Sequence, residues 1–500
     1  MARLSDSTLP DLPDEIRRPK YDRRRLQPGV VHIGLGAFHR AHQAPIFEKL
    51  VEAGDMRWGV VGASLRSSAV HDFLSPQDGL YSLTIEDGEH HETSIIGALL
   101  EVLVAPAQSD RLVGAIASPL THLVTVTVTE KGYRLDPASG QIIEDDPQVR
   151  ADIASLASPS TMPGFLAAGL RLRRDRGLPP ITIASCDNMA DNGRKLRGAV
   201  GRIAQAHDGA LRDWIEQSCA FPNSMVDRIV PASSAADIEM ASARLGLLDC
   251  AAVRTEPYSQ WVIEDVLIGS ARSLGDAGVQ ITTDLAPWER AKLRLLNGAH
   301  SAMAYLGGLG GIETVHEFVS MPSGQRFVEM LWDEIEPTVK PPAQLDVAEN
   351  RRVLMVRFRN SALHHRLRQI AMDGSQKLPP RLLAAAEQLR QCGASVDAIA
   401  LAVAAWMRWQ TGRTDAGDRF DVDDPLASHA ARRIATASDP TDYARALLSI
   451  ESIFAPRLAG DAAFVGSVVD HLESLRRLGA RETLARFVHR PDAADSRICQ

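Results

Sequence analysis

The sequence Val30-Val31-His32-Ile33-Gly34-Leu35-Gly36-Ala37-Phe38-His39 decides the fold, because an apolar run leads directly into two glycines. Such a turn between a strand and a helix lets the backbone approach a pyrophosphate at the helix N-terminus. His39 replaces the third glycine of the G-x-G-x-x-G pattern, and Pro45 predicts that the helix starts late or kinks. A G-x-G pair is often only a turn, but the helical pattern that follows favours a dinucleotide site here.

Three further apolar runs extend this strand–helix pattern through the first half of the chain. They cover residues 58–61, 123–128 and 181–184, and segments of helical composition such as 165–173 lie between them. Alternation of this kind predicts βαβ units and a mostly parallel sheet. The predicted fold class of this half is therefore α/β.

The character of the sequence changes after about residue 285. Runs of Val, Ile and Thr give way to segments rich in Ala, Leu and Arg, each of which predicts an amphipathic helix. Asp284 and Pro287 suit the cap and first turn of the first such helix. We therefore predict an α/β domain over 1–285 and a mostly α-helical domain over 286–500. The predicted helices cover 286–306, 325–337, 380–391, 395–410, 441–454 and 462–488.

Composition and charge narrow the class of protein. The 500 residues exceed one ordinary core, and 45% are hydrophobic and 24% charged, as in globular proteins in water. The formal net charge of −8 argues against nucleic acid as a partner. No apolar run approaches the about 20 residues of a membrane span, and residues 1–6 lack the apolar core of a signal peptide. The five scattered cysteines form no C-x-x-C pair, which predicts a reducing cytoplasm and no metal site.

Segment 292–300, Lys-Leu-Arg-Leu-Leu-Asn-Gly-Ala-His, carries an amine, a carboxamide and an imidazole on one predicted helix. At about 100° per residue, Asn297 lies about 140° and His300 about 80° round the helix from Lys292, so all three fit one broad face. A half-buried lysine near polar groups can lose its proton near neutral pH, as a general base must. Taken alone, such a trio is more often structural. The other motifs favour the catalytic interpretation.

Polar residues follow the predicted strands at the positions where open α/β sheets bind ligands. Ser64, Thr129 and Asn188 follow the second, third and fourth strands, and Asp227 lies in a polar cluster within an apolar context. Each is also compatible with a turn or a helix cap. The second strand ends without the carboxylate that usually grips the adenosine ribose, and Arg66 would accept a 2′-phosphate. The residues therefore leave NAD and NADP open.

Six segments, in order along the chain, carry a resemblance to a known family. They are Gly-Leu-Gly-Ala-Phe-His-Arg-Ala-His-Gln (34–43), Thr-Glu-Lys-Gly-Tyr (129–133), Ser-Cys-Asp-Asn (185–188), Met-Val-Asp-Arg (225–228), Gln-Trp-Val-Ile-Glu-Asp (260–265) and the helix over 292–300. Together they resemble the polyol-specific long-chain dehydrogenases, the family of mannitol 2-dehydrogenase and fructuronate reductase (mannonate oxidoreductase). The resemblance implies a Rossmann-like N-terminal domain, a mostly helical C-terminal domain, a site in the cleft, and hydride transfer with nicotinamide without a metal.

The resemblance also implies roles for individual residues. Lys292 corresponds to the general base, Asn188 and Asn297 to the pair that holds the substrate oxygen, and His300 to the residue that orients the substrate. Glu130 and Glu289 correspond to proton-relay carboxylates, and Asp227 and Lys377 to positions that touch the polyol chain. The cofactor contacts expected from the glycine turn and the strand ends are Ile33, Gly34, Leu35, Gly36, Ala37, Phe38, Ser64, Thr129 and Asn188.

The substrate prediction rests on segment 369–379, which resembles the fructuronate reductase branch. Gln369 stands where some mannitol enzymes carry an arginine. We predict D-mannonate and D-fructuronate as the substrate pair with NAD, without excluding NADP. Mannitol and fructose are the alternative, and a non-catalytic nucleotide-binding sensor is the alternative of another class. The expected partner is a small sugar acid or polyol, with no nucleic acid or membrane, for a cytoplasmic monomer or small homo-oligomer.

Overall fold

The computed structural model describes residues 1–136 and 139–489. The chain forms two compact units, Met1–Leu285 and Ala286–Gln500. No helix in the described part of the chain is long and apolar enough to cross a membrane.

The first unit combines strands and helices in alternation. Its strands are β1 Val30–Ile33, β2 Val60–Ser64, β3 Tyr81–Asp87, β4 His90–Ile96, β5 Leu99–Val104, β6 Leu123–Val126, β7 Thr182–Ser185, β8 Ser224–Asp227, β9 Val253–Thr255, β10 Gln260–Glu264 and β11 Gln280–Thr282. Its helices are α1 Ala37–Ala41, α2 Gln43–Glu52, α3 Ala69–Leu74, α4 Ser109–Ile116, α5 Pro147–Ala154, α6 Met162–Asp175, α7 Asn192–His207, α8 Gly209–Ser218 and α9 Ala235–Leu245.

The main sheet is parallel, with the strand order β5-β2-β1-β6-β7. The chain leaves β1 for β2 on one side and later returns to β6 on the other, so the strand order reverses between β1 and β6. The crevice outside the carboxyl ends of two such strands is where doubly wound sheets bind ligands. The predicted α/β class with a mostly parallel, Rossmann-like sheet is confirmed.

The strand sequences explain why this sheet is buried on both faces. Val31 and Ile33 belong to a core that also contains Phe165 of α6, whereas Val30 belongs to a second core with Phe47 of α2. All four residues of β1 are buried, as expected for a central parallel strand covered by helices.

Two smaller sheets complete the first unit. In one, β10 pairs with β8 in antiparallel and with β11 in parallel orientation, and this places Gln260 opposite Asp227. In the other, β3 pairs with β4 in antiparallel and with β9 in parallel orientation.

Pro45 has the effect expected from the sequence. The helical path after the glycine turn is interrupted at His42, with φ −116° and ψ −69°, which separates α1 from α2. Pro45 then falls in the first turn of α2, where its missing N–H leaves no helical hydrogen bond unmade.

The second unit is mostly helical in its described residues. Its helices are α10 Ala286–Ala291, α11 Gly298–Leu309, α12 Val315–Ser320, α13 Pro322–Ile335, α14 Val347–Phe358, α15 Leu367–Ile370, α16 Gly374–Leu378, α17 Ala384–Gln391, α18 Asp397–Trp409, α19 Ala427–Ile434, α20 Pro440–Leu448, α21 Pro456–Ala459, α22 Ala462–Leu478 and α23 Ala480–Val488. Two π-helical turns, Lys292–Asn297 and Pro379–Leu383, lie between α10 and α11 and between α16 and α17.

Three predicted helices of the second unit are broken in the structure, and a fourth, 441–454, ends at Leu448. Segment 380–391 begins in the π-turn Pro379–Leu383 and continues as α17. Segment 286–306 contains the π-turn Lys292–Asn297. Segment 462–488 divides at Gly479, whose φ of +78° a continuous α-helix cannot accommodate, into α22 and α23. The core of this unit forms around α11 and α18, both of which are buried along almost their whole length.

Candidate active site

The turn after β1 is built as a nucleotide-binding turn. Gly34 has a φ of +98°, and a Cβ there would lie 2.1 Å from the Thr127 carbonyl oxygen, so only glycine is accommodated. The backbone N–H of Gly34 donates to the Ala63 carbonyl over 2.8 Å. A Cβ at Gly36, by contrast, would meet only the Gly34 carbonyl oxygen, at 3.7 Å. The space over Gly36 is therefore open to a ligand.

Buried polar groups beneath the turn hold it in place. The ring of His32 forms hydrogen bonds of 2.8 Å with the Thr125 hydroxyl and 3.0 Å with the Thr127 hydroxyl, and Thr127 Oγ1 donates to the Gly34 carbonyl over 2.9 Å. Burial lowers the pKa of His32 to about 3, so this imidazole stays neutral. Leu35 is buried against Gly62, while Ala37 and Phe38 open α1. Ile33 ends β1.

A carboxylate joins the ends of β6 and β7. Asp187 accepts hydrogen bonds from the backbone N–H groups of Val128 at 3.1 Å and Thr129 at 2.9 Å, and from the Tyr133 hydroxyl at 2.7 Å. Thr129 has φ +64° and ψ +166°, a conformation that costs a non-glycine residue about 1–3 kcal/mol. Burial raises the pKa of Asp187, while these three donors oppose the shift. Asp187 therefore stabilises a strained strand end.

Hydrogen bonds of a buried asparagine side chain connect the ends of β7 and β8. Asn192 donates to the carbonyl oxygens of Asp187 at 2.9 Å and Ser224 at 2.8 Å, and accepts from the Ser224 N–H at 3.0 Å. Asn188 is exposed just after β7, and Asp227 is buried at the end of β8. Asn192 therefore holds in register the two strand ends that carry these predicted site residues.

Neither Asp187 nor Asn188 caps α7. Asp191 occupies the N-cap position of that helix, in the left-handed region and without a side-chain capping bond. The helix-cap alternative for Asn188 is therefore wrong, because Asp191 occupies the N-cap position of α7.

Ser64 and Arg66 lie at the end of β2. Ser64 is buried, and its carbonyl accepts from the Ala105 N–H at 2.9 Å. Arg66 is exposed two residues later. Glu130 follows Thr129 and is exposed at the start of the 3-10 turn Glu130–Tyr133.

In the second unit, the segment that carries Lys292 and Asn297 is π-helical rather than α-helical. The Gly298 N–H donates to the Leu293 carbonyl, five residues earlier. A π-helical turn holds more residues than an α-helical turn, so each residue advances by less than about 100° round the helix. Lys292 and Asn297 therefore lie closer in direction than the 140° of a regular α-helix. π-turns of this kind occur often at functional sites.

Side chains of neighbouring elements form hydrogen bonds with carbonyl groups of the widened turn. The Trp332 indole N–H donates to the Leu295 carbonyl over 2.9 Å. Arg381, in the second π-turn, reaches the Ser301 hydroxyl at 3.1 Å and the Asn297 carbonyl at 3.5 Å. A Cβ at Gly298 would lie 3.2 Å from the Arg381 carbonyl oxygen, so the two π-turns pack closely. This packing fixes the backbone that carries Lys292 and Asn297.

His300 is buried in the first turn of α11 among aromatic rings and cations. Its ring centroid lies 5.0 Å from that of Phe358 and 5.0 Å from that of His365. Burial lowers its pKa well below the usual value, and His365, Arg381, Arg357 and Lys292 lower it further. The imidazole is therefore neutral at physiological pH and can both donate and accept a hydrogen bond.

The remaining predicted residues lie nearby along the second unit. Glu289 is in α10, three residues before Lys292. Lys377 is in α16, two residues before the second π-turn, and its Nζ lies 3.4 Å from the Ile370 carbonyl oxygen. Among the residues that the structure describes, no group of three or more His, Cys, Asp or Glu side chains is placed to hold a metal ion.

Sequence reasoning missed three supporting residues, Asp187, Trp332 and Arg381. Asp187 was within a recognised motif, but its bonded partners are 58 and 59 residues away, so that only the fold brings them together. No local pattern in the sequence distinguishes Trp332 or Arg381 from ordinary residues of amphipathic helices.

Two family models match the chain in sequence. The mannitol dehydrogenase Rossmann domain matches residues 28–273, and the mannitol dehydrogenase C-terminal domain matches residues 284–476.

Individual proteins agree with these matches. D-mannonate oxidoreductase of Escherichia coli (strain K12) is 39% identical over 490 residues, which cover 97% of this chain and 100% of that protein. Mannitol 2-dehydrogenase of Pyricularia oryzae is 33% identical over 501 residues, covering 97% and 99% of the two chains. The structure of Pseudomonas fluorescens mannitol 2-dehydrogenase, a ternary complex with NAD and D-mannitol, superposes with a TM-score of 0.88 at 34% identity, covering 98% and 100%.

The resemblance inferred from six sequence segments is therefore confirmed along nearly the whole chain. With the glycine turn, the strand ends and both family domains in place, the chain belongs to the mannitol dehydrogenase family of oxidoreductases.

Proposed function

We propose that the protein is an NAD-dependent secondary-alcohol dehydrogenase that interconverts a hexonate and its keto sugar acid, with D-mannonate and D-fructuronate as the preferred pair. The observation that carries the proposal is the π-turn that presents Lys292 and Asn297 immediately before α11, whose first turn carries the neutral imidazole of His300. The 39% identity to a D-mannonate oxidoreductase supports this substrate pair.

The first unit is suited to hold the cofactor. The backbone of the glycine turn would hold the pyrophosphate, because Gly36 leaves its surface open. NAD supplies the hydride acceptor for alcohol oxidation. NAD is preferred over NADP in this proposal because the Pseudomonas relative was solved with NAD, although Arg66 would also accept a 2′-phosphate. The proposed contacts are Ile33, Gly34, Leu35, Gly36, Ala37, Phe38, Ser64, Thr129 and Asn188.

Side chains rather than the cofactor would supply the acid–base chemistry. Lys292 takes the proton of the substrate hydroxyl, and Asn297 and Asn188 donate hydrogen bonds to the oxygen as negative charge develops. Carboxamides suit this role because they donate without adding a charge. His300 orients the substrate, and Glu130 and Glu289 pass the proton onward. Asp227 and Lys377 contact the hydroxylated chain, and no metal takes part.

The relatives that the chain matches support a sugar acid as the first candidate substrate. D-mannonate oxidoreductase of Escherichia coli is 39% identical over nearly the whole of both chains. Mannitol is the second candidate, because the Pyricularia and Pseudomonas relatives are both mannitol 2-dehydrogenases.

The test is a spectrophotometric panel at about 340 nm that combines D-mannonate, D-mannitol and D-sorbitol with NAD and NADP, and D-fructuronate and fructose with the reduced cofactors. We expect the highest kcat/KM for fructuronate with NADH, before and after exhaustive dialysis against a chelator. Binding of NADH without turnover of any substrate would indicate a sensor. Loss of activity that zinc restores would contradict the metal-free mechanism.

A variant pair tests the base. Lys292→Ala should lower the rate of alcohol oxidation by about 10²–10⁴-fold, as expected for loss of a general base, while NADH fluorescence titrations stay unchanged. Lys49→Ala, at an exposed position of α2, is the matched control. If Lys292→Ala keeps more than about a tenth of the wild-type rate, another group is the base.

We also propose a cytoplasmic location and a monomeric or small homo-oligomeric state. Cys186, Cys219 and Cys250 are free thiols, whereas Cys392 is disulfide-bonded, so the proposed location rests on the sequence and not on the state of the cysteines. Cell fractionation and light scattering test the two statements.

A further inference from the structure

His365 presents a buried polar atom for which the described residues offer no hydrogen-bond partner. Its Nδ1 is shielded from solvent and unpaired, and the same is true of Nε2 of His300. Leaving a buried donor or acceptor unpaired costs about 1–3 kcal/mol, so each such atom in a native protein calls for an explanation. Two of them on adjacent rings within one unit point to a shared ligand.

The two imidazoles form one surface. Their ring centroids are 5.0 Å apart and their planes are nearly perpendicular, at 85°. Phe358 packs on His300 from another direction, with 5.0 Å between ring centroids, and Trp332 stacks on Phe358 at 6.0 Å. His300 is therefore confined by aromatic packing.

The backbone of His365 is fixed as well. Its carbonyl accepts from the Val315 N–H at 3.0 Å, and the Leu367 N–H donates to the Glu313 carbonyl at 2.9 Å. Thr314 and Arg366 are paired between these bonds as an antiparallel bridge. The position of the His365 ring next to His300 is therefore set by main-chain pairing rather than by a mobile loop.

Both rings are neutral at physiological pH. Burial lowers the pKa of His365 to about 4, and Arg357 contributes to the shift. A neutral imidazole has one donor nitrogen and one acceptor nitrogen, which matches the hydroxyl group of a sugar chain. A pair of them can bind two hydroxyls of one chain.

We infer that His365 is a second substrate-binding histidine, which with His300 forms an imidazole pair that binds neighbouring hydroxyls of a polyol or sugar-acid chain. This inference rests on the proposed dehydrogenase function and adds a residue that selects among hydroxylated substrates. A simple secondary alcohol, which has no second hydroxyl, would gain nothing from His365.

The test is a double-mutant cycle between the side chain and the substrate. His365→Phe keeps a planar ring but removes the nitrogens, and we expect kcat/KM for the preferred hexonate or hexitol to fall about five- to tenfold, mostly through KM, at unchanged NADH affinity. For one monodeoxy analogue of that substrate, the wild-type enzyme should show a similar fall in kcat/KM. The variant should have the same kcat/KM for that analogue as for the full substrate. His364→Asn, at the exposed left-handed position next to it, is the matched control.

A purely structural role would lower kcat/KM for all analogues in parallel, without coupling to one hydroxyl, and would overturn the inference. Wild-type kinetics in His365→Phe would do the same. If His365→Phe does not fold, His365→Leu, which also removes both ring nitrogens, serves in the same cycle, and there too the absence of coupling to one hydroxyl is the negative result. Wild-type protein that turns over no polyol or sugar acid contradicts the proposed function itself.

Discussion

Asp187 shows how one side chain determines the geometry of the candidate site at the scale of residues. Its carboxylate accepts from the N–H groups of Val128 and Thr129 and thereby holds Thr129 in a conformation that is unfavourable without glycine. Thr129 and Asn188, on either side of this contact, are both proposed cofactor contacts. Loss of the carboxylate should therefore affect both stability and cofactor binding.

We predict that Asp187→Ala lowers the free energy of unfolding by about 2 kcal/mol, because two backbone N–H groups lose a charged acceptor. We also predict that the Kd for NADH rises about tenfold, which corresponds to about 1.4 kcal/mol. Urea denaturation and NADH fluorescence measure the two quantities. Asp213→Ala, an exposed position in α8, should change neither. Wild-type NADH affinity in Asp187→Ala would contradict the role assigned to Thr129.

The residues of the site differ in how well the sequence predicts them. A local pattern predicts that Gly34 and Gly36 belong to the site, because the turn, the strand before it and the helix after it are contiguous in the sequence. Asp187 acts across 58 and 59 residues, and His365 and His300 come together only through helix packing. Local patterns carry no information on such pairs, so the structure was needed to find them.

At the scale of elements, the π-turn Lys292–Asn297 is the main departure from the predicted regular helix. A π-turn widens the helix and leaves carbonyl groups without their usual partners, and here the Trp332 indole satisfies that of Leu295. A helical hydrophobic pattern predicts that a helix exists. It does not predict whether a turn is α-helical or π-helical, because that depends on hydrogen bonds from other elements.

Replacement of Trp332 by Phe tests this dependence. We expect Trp332→Phe to lower the free energy of unfolding by about 1 kcal/mol more than Trp406→Phe, because it also leaves a buried carbonyl unpaired. Trp406 is the matched control, since it is equally buried and its indole nitrogen has no hydrogen-bond partner among the described residues. We also expect only Trp332→Phe to lower kcat. Equal effects of the two variants on stability and kcat would show that the indole hydrogen bond does not hold the π-turn.

Helix α18 begins at a half-buried carboxylate whose titration makes stability depend on pH. Glu334 accepts from the N–H groups of Ala398 and Ile399, both at 2.9 Å, and burial raises its pKa to about 8. The pKa of Glu334 is about 8 in the folded state and about 4.3 in the unfolded state. At pH values between these two, the folded state therefore binds one more proton than the unfolded state. Stability should therefore fall as pH rises through this window.

The measurement compares wild type with Glu334→Gln, which mimics the protonated side chain. Between about pH 5 and about pH 8, wild type should lose stability relative to the variant by up to about 1.4 kcal/mol per pH unit. Exposed Glu451→Gln should track wild type at every pH. Parallel pH profiles for wild type and Glu334→Gln would show that Glu334 is already ionised throughout this range.

At the scale of the whole molecule, the α/β class and the helical character of the second half follow from the sequence, because strand–helix alternation and amphipathic periodicity repeat over hundreds of residues. The ends of the individual helices are predicted less accurately from the sequence. The break at Gly479 and the short helices α15 and α16 depend on single backbone conformations and on packing within the helical unit. Sequence periodicity averages over such details.

Substrate choice is a property of the molecule as a whole, because fructose and fructuronate share the reacting carbonyl and differ in a distant carboxylate. We predict that fructuronate is reduced faster, since a charge-assisted hydrogen bond to Lys377 is worth about 1.5–3 kcal/mol, or about one to two decades in kcat/KM. Lys377→Met should therefore penalise fructuronate more than fructose, whereas Lys49→Met should affect neither. Equal losses on both substrates, or a wild-type preference for fructose, would instead favour mannitol 2-dehydrogenase activity.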